Sequence, residues 1–328
     1  MDDIAIRDRP STAATQPWRP LDPAKFRDPL VTAKGERRAG VALGALRTLW
    51  FNTGTLCNVT CANCYIESSP RNDRLAYLSH AEAVTYLDEI ARDHLPTEEI
   101  GITGGEPFMN PEILPIVETC LARGFKVLVL TNAMRPMQLH AAPLADLNRR
   151  LGARLTVRVS LDHHTRELHE AERGERSWER TLAGIEFLAA NGFTLAIAGR
   201  ANTGESEAAL RRGYAALFRR LGLALDAGDP AQLVLFPEMD ARIDVPEITE
   251  ACWGILHKSP DDLMCASSRM VVKRKGADRP AVVSCTLLPY APEFELGATL
   301  AAASGTVQLN HPHCAKFCVL GGASCSRG

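Results

Sequence analysis

The chain has 328 residues, of which 46% are hydrophobic, and its formal net charge is −2 at pH 7. This length and apolar content allow a full core, predict one large domain with a smaller one, and exclude a disordered chain. The balanced charge argues against a nucleic-acid partner. No signal peptide and no apolar run of about 20 residues is found, so we expect a cytoplasmic protein without a membrane partner. In that reducing compartment the ten cysteines are better explained as metal ligands than as disulfides.

The first 45 residues are rich in proline, which fixes backbone angles and removes hydrogen-bond donors. We therefore expect residues 1–45 to form an extended arm with short helical pieces. Trp18 and Phe26 are candidates to anchor this arm on the barrel. The arm is too short to be an independent peptide-recognition domain, so its expected role is packing.

From Leu49 onwards, short apolar runs alternate with longer amphipathic ones, which predicts repeated strand–helix units and a parallel sheet. The predicted strands are Leu49–Gly54, Glu99–Gly104, Lys126–Asn132, Arg154–Asp162, Thr194–Asn202 and Gln232–Glu238. The predicted helices are Ser79–His94, with a capping-box pattern, then Pro111–Gly124, Pro143–Leu151, Trp178–Asn191 and Glu207–Leu221. Six such units are two short of a closed eight-stranded barrel.

A cysteine-rich stretch, CNVTCANCY, follows the first predicted strand and contains Cys57, Cys61, Cys64 and Tyr65. Three thiolates at these spacings can converge on one face of a loop and leave one ligand position open. An open position suits a [4Fe–4S] cluster, in which it is where chemistry occurs. On spacing alone, a zinc loop or three ordinary thiols are alternatives.

The Cys-x3-Cys-x2-Cys spacing resembles the signature of the radical S-adenosylmethionine (radical SAM) enzymes. Two further motifs follow in that family's order, TGGEP at Thr103–Pro107 and the run that begins SLDHH at Ser160. The matching positions of the second run are Ser160, Leu161, Asp162, His169, Arg173, Gly174, Gly184 and Gly192. The resemblance extends over about residues 49–239. There are two departures, because Asn63 stands where the family often has an aromatic residue and His163 where a glycine often follows the aspartate.

The resemblance implies an α/β fold, a partial (β/α)6 TIM-type barrel over residues 46–240 that is open on one side. In such barrels the active site forms at the carboxyl ends of the strands. The cysteine loop, the GGEP turn, Asn132, Ser160 with Asp162, Arg200 with Asn202, and Glu238 all follow predicted strands, so one rim can carry them.

The resemblance implies that the TGGEP turn holds the methionyl amino group of S-adenosylmethionine. Gly104 and Gly105 permit a tight turn and a close approach to the ligand, Glu106 can accept hydrogen bonds from an ammonium group, and Pro107 completes the motif. An ordinary strand-to-helix turn is the alternative. Ser160 and Asp162 alternate on one strand and can bind a ribose or substrate hydroxyl, although Asp162 could instead cap a helix that begins at His163.

Other residues of the predicted rim carry less specific signals. Arg200 is a candidate to bind the methionyl carboxylate, with a salt bridge as the alternative. Asn132 and the preceding Thr131 either lie under the cofactor or belong to a turn. Glu238 and Asp162 are the candidate catalytic groups. The charged sequence around His163, His164 and His169 favours surface positions over a metal site for these histidines.

Beyond Met239 the strand–helix rhythm stops, and residues 241–328 predict a small cysteine-rich α+β extension. Cys265 and Cys285 bracket a predicted β-hairpin, Glu293–Ser304 is predicted as a helix, and the closing segment contains Cys314, Cys318 and Cys325. This tail resembles the twitch or SPASM extensions that carry auxiliary [4Fe–4S] clusters, and these five cysteines are the candidate ligands. A structural zinc site is the alternative. Cys252 is expected to pack in a core rather than to bind metal, and His311 and His313 are expected to be loop residues, with a role as ligands as the alternative.

The resemblance implies reductive cleavage of S-adenosylmethionine at the first cluster and hydrogen abstraction by a 5′-deoxyadenosyl radical from a small molecule or short peptide. It also implies an electron donor such as flavodoxin or ferredoxin. Alternatives are a peptide maturase that forms thioether or carbon–carbon links, a methyl or aminocarboxypropyl transferase, and a non-catalytic zinc protein. Substrate identity and oligomeric state stay open at this point.

Overall fold

The computed structural model describes residues 19–237 and 239–321. Predictions made for Trp18, Glu238 and Cys325 lie outside the described residues. The strands are β1 (Gly40–Val41), β2 (Thr48–Asn52), β3 (Glu99–Thr103), β4 (Lys126–Thr131), β5 (Leu155–Ser160), β6 (Thr194–Ala201), β7 (Leu233–Pro237), β8 (Ser268–Val272), β9 (Ala281–Val283), β10 (Glu295–Gly297) and β11 (Val307–Gln308). The helices are α1 (His80–Arg92), α2 (Ile113–Ala122), α3 (Arg135–Gln138), α4 (Ala141–Leu151), α5 (Arg166–Arg173), α6 (Ser177–Ala190), α7 (Glu207–Arg220) and α8 (Cys252–Leu256).

Strands β2 to β7 lie side by side in chain order and are all parallel, with helices between them. This arrangement confirms the predicted partial (β/α)6 barrel. The strands are buried on both faces, because helices cover one side of the sheet and the interior of the barrel the other, and one apolar cluster runs between strands and helices. Parallel strands end at a common edge, so the residues that follow β2 to β7 meet on one rim.

Local sequence signals explain where the helices begin and end. The side chain of Ser79 accepts from the backbone of Glu82 while the Glu82 carboxylate accepts from the backbone of Ser79, which is the predicted capping box at the start of α1. After α2, Gly124 adopts a φ of +95°, the left-handed region that closes a helix.

The tail extends the barrel sheet. β8 pairs in parallel with β2, and β9 returns antiparallel to β8, which confirms the hairpin between Cys265 and Cys285. The helix predicted over Glu293–Ser304 is wrong. β10 occupies part of this segment and pairs with β9, and only a short 3-10 turn, Ala302–Ser304, is helical. Strand pairing at the sheet edge therefore overrides the helix propensity of an alanine-rich run.

The N-terminal arm packs against the tail. β1 pairs with β11, and the Arg38 guanidinium lies 2.6 Å from the Glu247 carboxylate with both side chains buried. Phe26 takes part as well, because its backbone N–H donates to Glu247 and its ring lies under the Arg38 guanidinium. Phe26 therefore anchors the arm on the segment that follows the barrel, not on the barrel as expected, because its hydrogen-bond partner Glu247 lies beyond the last barrel strand.

Candidate metal and cofactor sites

The rim at the carboxyl ends of the barrel strands encloses a cavity of about 1010 Å³ that opens to solvent. Cys57, Cys61 and Cys64 all line it. The other residues that were predicted from the sequence and line the cavity are Tyr65, Gly104, Gly105, Asn132, Ser160, Asp162 and Arg200. The parallel strands thus bring together side chains that lie up to 143 residues apart in the chain, from Cys57 to Arg200.

The cysteine loop holds its thiols in a partly buried environment. Burial raises the pKa of the Cys57 thiol to about 12 and also raises the pKa of Cys61, although the Arg173 guanidinium opposes the rise at Cys61. Cys64 accepts a hydrogen bond from the backbone N–H of Ser68 at 3.3 Å. The Cys57 thiol is therefore neutral at pH 7 without a metal, and metal binding would release its proton.

The spacing of these sulfur atoms distinguishes between metal groups. A tetrahedral zinc ion with Zn–S bonds of about 2.3 Å requires sulfurs about 3.8 Å apart. Among the described residues, the sulfurs of Cys57, Cys61 and Cys64 do not all lie within 4.8 Å of one another. The loop is thus wider than a single zinc ion bound by all three thiolates requires.

The GGEP turn lines the cavity with backbone atoms and not with the carboxylate of Glu106. Gly104 has a φ of +151°, and a Cβ on Gly105 would lie 2.2 Å from the Leu56 carbonyl oxygen, so only glycine allows the turn to approach the cysteine loop. Glu106 and Pro107 are buried and do not line the cavity.

The Glu106 carboxylate instead holds two strand exits together. It accepts from Thr131 Oγ1 and the Asn132 backbone N–H, each at 2.8 Å, and from the backbone N–H of Phe108. Burial raises the pKa of Glu106, and these hydrogen bonds oppose the rise. The Glu106 carboxylate is thus engaged with these three donors, and its contact with a ligand ammonium stays a prediction.

A buried group of charges forms one wall of the cavity. Arg173 Nε lies 2.5 Å from Asp162 Oδ2, and Arg200 Nε lies 3.2 Å from Asp162 Oδ1. Burial raises the pKa of Asp162, but the two guanidinium groups outweigh it and hold this pKa below its ordinary value. Asp162 is not a helix cap, because α5 begins later, at Arg166, with Thr165 as its N-cap residue.

Arg173 was not predicted as a site residue. It lies at the end of α5 and lines the cavity between Asp162 and the thiols of Cys57 and Cys61. Burial opposes its charge, but Asp162 and these thiols together raise the pKa of Arg173 above its ordinary value. Arg173 was one of the positions at which the sequence matched the radical SAM family, but no function was assigned to it.

The opposite wall of the cavity is apolar and was also missed. Phe236 at the end of β7 stacks on Phe317 from the tail, with ring centroids 5.6 Å apart. Leu130, Met239 and Leu287 complete this wall. Because Phe317 and Leu287 come from the tail, the sequence of the barrel alone could not have revealed them.

Comparison with known proteins identifies the barrel. Residues 51–211 match the family model for the radical SAM superfamily. These residues form a radical SAM domain. The resemblance inferred from the cysteine, GGEP and SLD motifs is thereby confirmed.

Two named relatives share this domain. The chain is 31% identical over 173 residues to the mycofactocin maturase MftC of Mycobacterium ulcerans, which is 52% of this chain and 43% of that protein. It is 32% identical over 145 residues to the antilisterial bacteriocin subtilosin biosynthesis protein AlbA of Bacillus subtilis, which is 43% of this chain and 30% of that protein. The matched regions therefore cover less than half of each relative's length.

Solved structures show the same fold at low identity. Streptococcus suis SuiB bound to S-adenosylmethionine aligns with a TM-score of 0.57 at 12% identity, over 78% of this chain and 64% of that chain. Native anSMEcpe with bound AdoMet aligns with a TM-score of 0.55 at 13% identity, over 78% of this chain and 79% of that chain. In both alignments the likeness extends beyond the radical SAM domain into the tail.

The cavity at the carboxyl ends of the barrel strands is called the radical SAM cavity below. A second cavity, of about 370 Å³, lies next to it in the tail. Four of the five predicted auxiliary ligands line it, namely Cys265, Cys285, Cys314 and Cys318. Cys314 and Cys318 share one turn, a short π-helix, Cys314–Leu320. Among the described residues, no three of these four sulfurs lie within 4.8 Å of one another, so this set too is wider than a zinc ion requires.

The environment of the second cavity is apolar. Burial raises the pKa of Cys265 to about 12 and raises the pKa of Cys314 well above its ordinary value. His313 also lines the cavity, and burial lowers its pKa to about 4, so the ring is neutral at pH 7. Leu287 lines both cavities and lies between the two cysteine sets. Cys252 lines neither, as expected.

The expectation that the three central histidines lie on the surface is wrong for two of them. His163 and His169 are 2% and 0% exposed. His169 Nδ1 accepts a hydrogen bond from the backbone N–H of Asp162 at 3.2 Å. This ring therefore supports the chain just beyond the end of β5, where Asp162 lies. Charged neighbours on α5 had suggested a solvated helix, but His169 lies on its covered side, and His163 is buried in the segment that precedes the helix.

His163, His164 and Glu205 are the one trio of metal-ligand side chains within the described ranges whose donor atoms all lie within 4.8 Å. The hydrogen bonds argue against a metal there. The backbone N–H of Thr165 donates to His163 Nδ1 at 3.0 Å, which leaves the proton of a neutral ring on Nε2. That nitrogen lies 2.7 Å from Glu205 Oε2 and donates to it, so His163 and Glu205 are already paired, whereas His164 Nδ1 has no hydrogen-bond partner within the described residues.

Within the described residues, none of the helices has the length and apolar character that crossing a bilayer requires.

Proposed function

We propose that this chain is a radical SAM enzyme that cleaves S-adenosylmethionine and abstracts hydrogen from a substrate bound in the same cavity. One observation carries the proposal. The three thiols of the cysteine loop open into the same cavity as the GGEP backbone, Asn132 and the charged wall at Asp162. A zinc protein would not require this arrangement of strand exits around its metal.

Cys57, Cys61 and Cys64 are the residues that would hold a [4Fe–4S] cluster. When bound, such a cluster supplies the electron that splits the sulfonium bond of S-adenosylmethionine into methionine and a 5′-deoxyadenosyl radical. The backbone of Gly104 and Gly105 offers carbonyl groups to the methionyl ammonium.

Ser160 and Asp162 offer a hydroxyl and a carboxylate to the ribose of the nucleoside. Asn132, held by Glu106 through its backbone, presents its amide beside the cysteine loop, 2.9 Å from Asn58 Oδ1. Tyr65 lines the cavity next to the cysteine loop and is assigned to the same cofactor pocket.

The methionyl carboxylate is assigned to Arg173 rather than to Arg200. Arg200 uses all three of its nitrogens within the protein, on Asp162, on Glu172 at 3.5 Å and on the Asn63 carbonyl at 3.0 Å. Arg173 contacts Asp162 through Nε and Nη2. Its Nη1 has no hydrogen-bond partner within the described residues. Arg173 is also the arginine whose charge interacts most strongly with the thiols of the cysteine loop.

The tail is assigned an auxiliary [4Fe–4S] cluster bound by Cys265, Cys285, Cys314 and Cys318, as in twitch or SPASM extensions. Four sulfurs around one apolar cavity, spaced too widely for a zinc ion, support this assignment. Leu287 lines both cavities. A cluster in the second cavity would therefore lie beside a substrate in the radical SAM cavity and could accept an electron from it. An external donor such as flavodoxin or ferredoxin would supply the first electron.

The substrate is assigned to the short-peptide class. Two of the relatives are named as a mycofactocin maturase and as a bacteriocin biosynthesis protein, although others are named as an AdoMet-dependent heme synthase and as a GTP 3',8-cyclase. The wall formed by Phe236, Phe317 and Leu287 suits an aliphatic or aromatic side chain of such a peptide.

Anaerobic reconstitution tests this proposal. About eight irons per chain, with 5′-deoxyadenosine released on addition of reductant and S-adenosylmethionine, is the expected result. About four irons with release would leave the radical SAM activity and remove the auxiliary cluster. Methylthioadenosine or S-adenosylhomocysteine in place of deoxyadenosine would make the protein a transferase. Zinc without iron, and no cleavage, would overturn the proposal.

Cysteine variants separate the two sites. Replacing Cys57, Cys61 and Cys64 together by alanine is expected to abolish cleavage, whereas replacing Cys265 and Cys285 should spare part of the cleavage and stop product formation. Cys252→Ala is the matched control, because this half-buried cysteine lies outside both cavities. Full turnover in the tail variant would show that the auxiliary site has no catalytic role.

A further inference from the structure

The cysteine loop is tied to the barrel through the two residues between Cys61 and Cys64. The backbone N–H of Ala62 donates to the Glu172 carbonyl at 2.8 Å. Asn63 donates twice to the Glu172 carboxylate, from its backbone N–H to Oε1 at 2.9 Å and from its side-chain amide to Oε2 at 2.8 Å. Both carboxylate oxygens of Glu172 are therefore occupied by one residue of the loop.

Arg200 closes this arrangement into a ring. Its Nη1 donates to the Asn63 carbonyl at 3.0 Å, while its Nη2 lies 3.5 Å from Glu172 Oε1. Glu172 is 7% exposed, so its charge is compensated almost entirely by these partners. The ring joins the loop to the end of α5 and the end of β6, two elements of the rigid barrel.

We propose that Asn63 and Glu172 form a latch that holds Cys61 and Cys64 in position to bind the cluster before the cluster arrives. This inference rests on the proposed function. The latch holds the loop by charge-assisted hydrogen bonds, which are directional and fix the loop backbone. Asn63 and Glu172 are positioning residues and need not touch the substrate.

Two substitutions test the latch without removing a cysteine. Asn63→Asp places a second carboxylate against Glu172 in a buried position and should open the loop. The double variant N63D/E172Q reverses the polarity of the pair, because a glutamine amide can donate to the new aspartate while its carbonyl still accepts the loop N–H. Glu167→Gln is the matched control, since Glu167 is an exposed residue on the same helix.

The first measurement uses the reconstituted enzyme and follows iron release to a chelator. We expect the SAM-responsive cluster, identified by its change in electron paramagnetic resonance on addition of S-adenosylmethionine, to be lost about tenfold faster in N63D, which corresponds to the loss of one charged hydrogen bond. The double variant should recover most of the wild-type rate. Equal rates in N63D and E167Q, with a wild-type protein that binds iron and cleaves S-adenosylmethionine, would overturn the latch and leave the proposed function standing.

The second measurement needs no metal. In the apo-protein, hydrogen–deuterium exchange of the peptide that contains Ala62 and Asn63 should be slow in the wild type and in E167Q, and about tenfold faster in N63D. Exchange at wild-type rates in N63D would overturn the proposal, because it would show that the loop is held by other contacts. A wild-type protein that binds no iron but shows this exchange pattern would instead contradict the proposed function.

Discussion

Replacing Asp162 by asparagine tests the buried charges of the radical SAM cavity. Asp162 is 5% exposed, and its oxygens lie 2.5 Å from Arg173 Nε and 3.2 Å from Arg200 Nε. The side chains of these two arginines are 10% and 15% exposed, so water replaces the carboxylate only in part. Asp162→Asn keeps the shape of the side chain and removes its charge.

The magnitude depends on what each arginine retains. Arg200 keeps Glu172 at 3.5 Å, whereas Arg173 has no second carboxylate partner within the described residues. Removing one partner of a buried ion pair costs about 3–5 kcal/mol, and one orphaned cation places the expected loss near about 3 kcal/mol. Asp146→Asn is the control, because Asp146 pairs with Arg149 and Arg150 at 48% side-chain exposure and should cost at most about 0.5 kcal/mol.

Urea unfolding of the apo-protein, followed by circular dichroism, measures this loss of unfolding free energy. The pKa of Asp162 is held below its ordinary value, so its stabilisation is complete above the unfolded pKa of about 3.9 and is lost as the pH falls through the folded value. The difference between wild type and variant should therefore be constant near neutral pH and shrink below about pH 4. A difference under about 1 kcal/mol at pH 7, no larger than the control's, would refute the reasoning.

Three further predictions follow from single contacts. Gly105→Ala should lower iron binding by the cysteine loop, because the new Cβ would lie 2.2 Å from a loop carbonyl; Gly254→Ala, which meets no atom within 4 Å, should bind iron normally. Burial lowers the pKa of His169 to about 4. Between pH 6.5 and pH 4, the unfolding free energy of the wild type should therefore fall by about 3 kcal/mol more than that of His169→Gln. Glu247→Ala leaves the buried Arg38 without its carboxylate and should cost about 3–5 kcal/mol in urea unfolding, whereas a loss below about 1 kcal/mol would show that the arm is not held by this pair.

The barrel could be predicted because its signals are local. Each of its six strands was placed within two residues, since a strand buried on both faces reads as a short apolar run. The capping box at Ser79 and the glycine that ends α2 likewise depend on neighbouring residues only. The predicted helix at Glu293–Ser304 failed for the opposite reason, because its conformation is decided by pairing with β9, a strand about twelve residues earlier.

Side-chain direction explains most of the other differences at the site. The sequence shows that Glu106 follows a strand. Whether its carboxylate points into the cavity or back to Thr131 depends on the hydrogen-bond donors at the end of the neighbouring strand, β4. The charged residues around His169 indicated a solvated helix, yet α5 lies against the strand that carries Asp162, and its histidine is covered. Spacing along the chain fixes which residues share a rim, but only packing decides which of them face the ligand.

The relation between the two cysteine sites depends on residues that no motif marks. Phe317 lies in the chain between Cys314 and Cys318, yet its ring stacks on Phe236 in the radical SAM cavity, while Leu287 lines both cavities. Because Cys314 and Cys318 share one short turn with Phe317, any change in how these thiols are held must also move the apolar wall of the barrel cavity. The tail therefore cannot be treated as an independent metal-binding appendage. Its thiols line the second cavity, while Phe317 and Leu287 line the radical SAM cavity next to it.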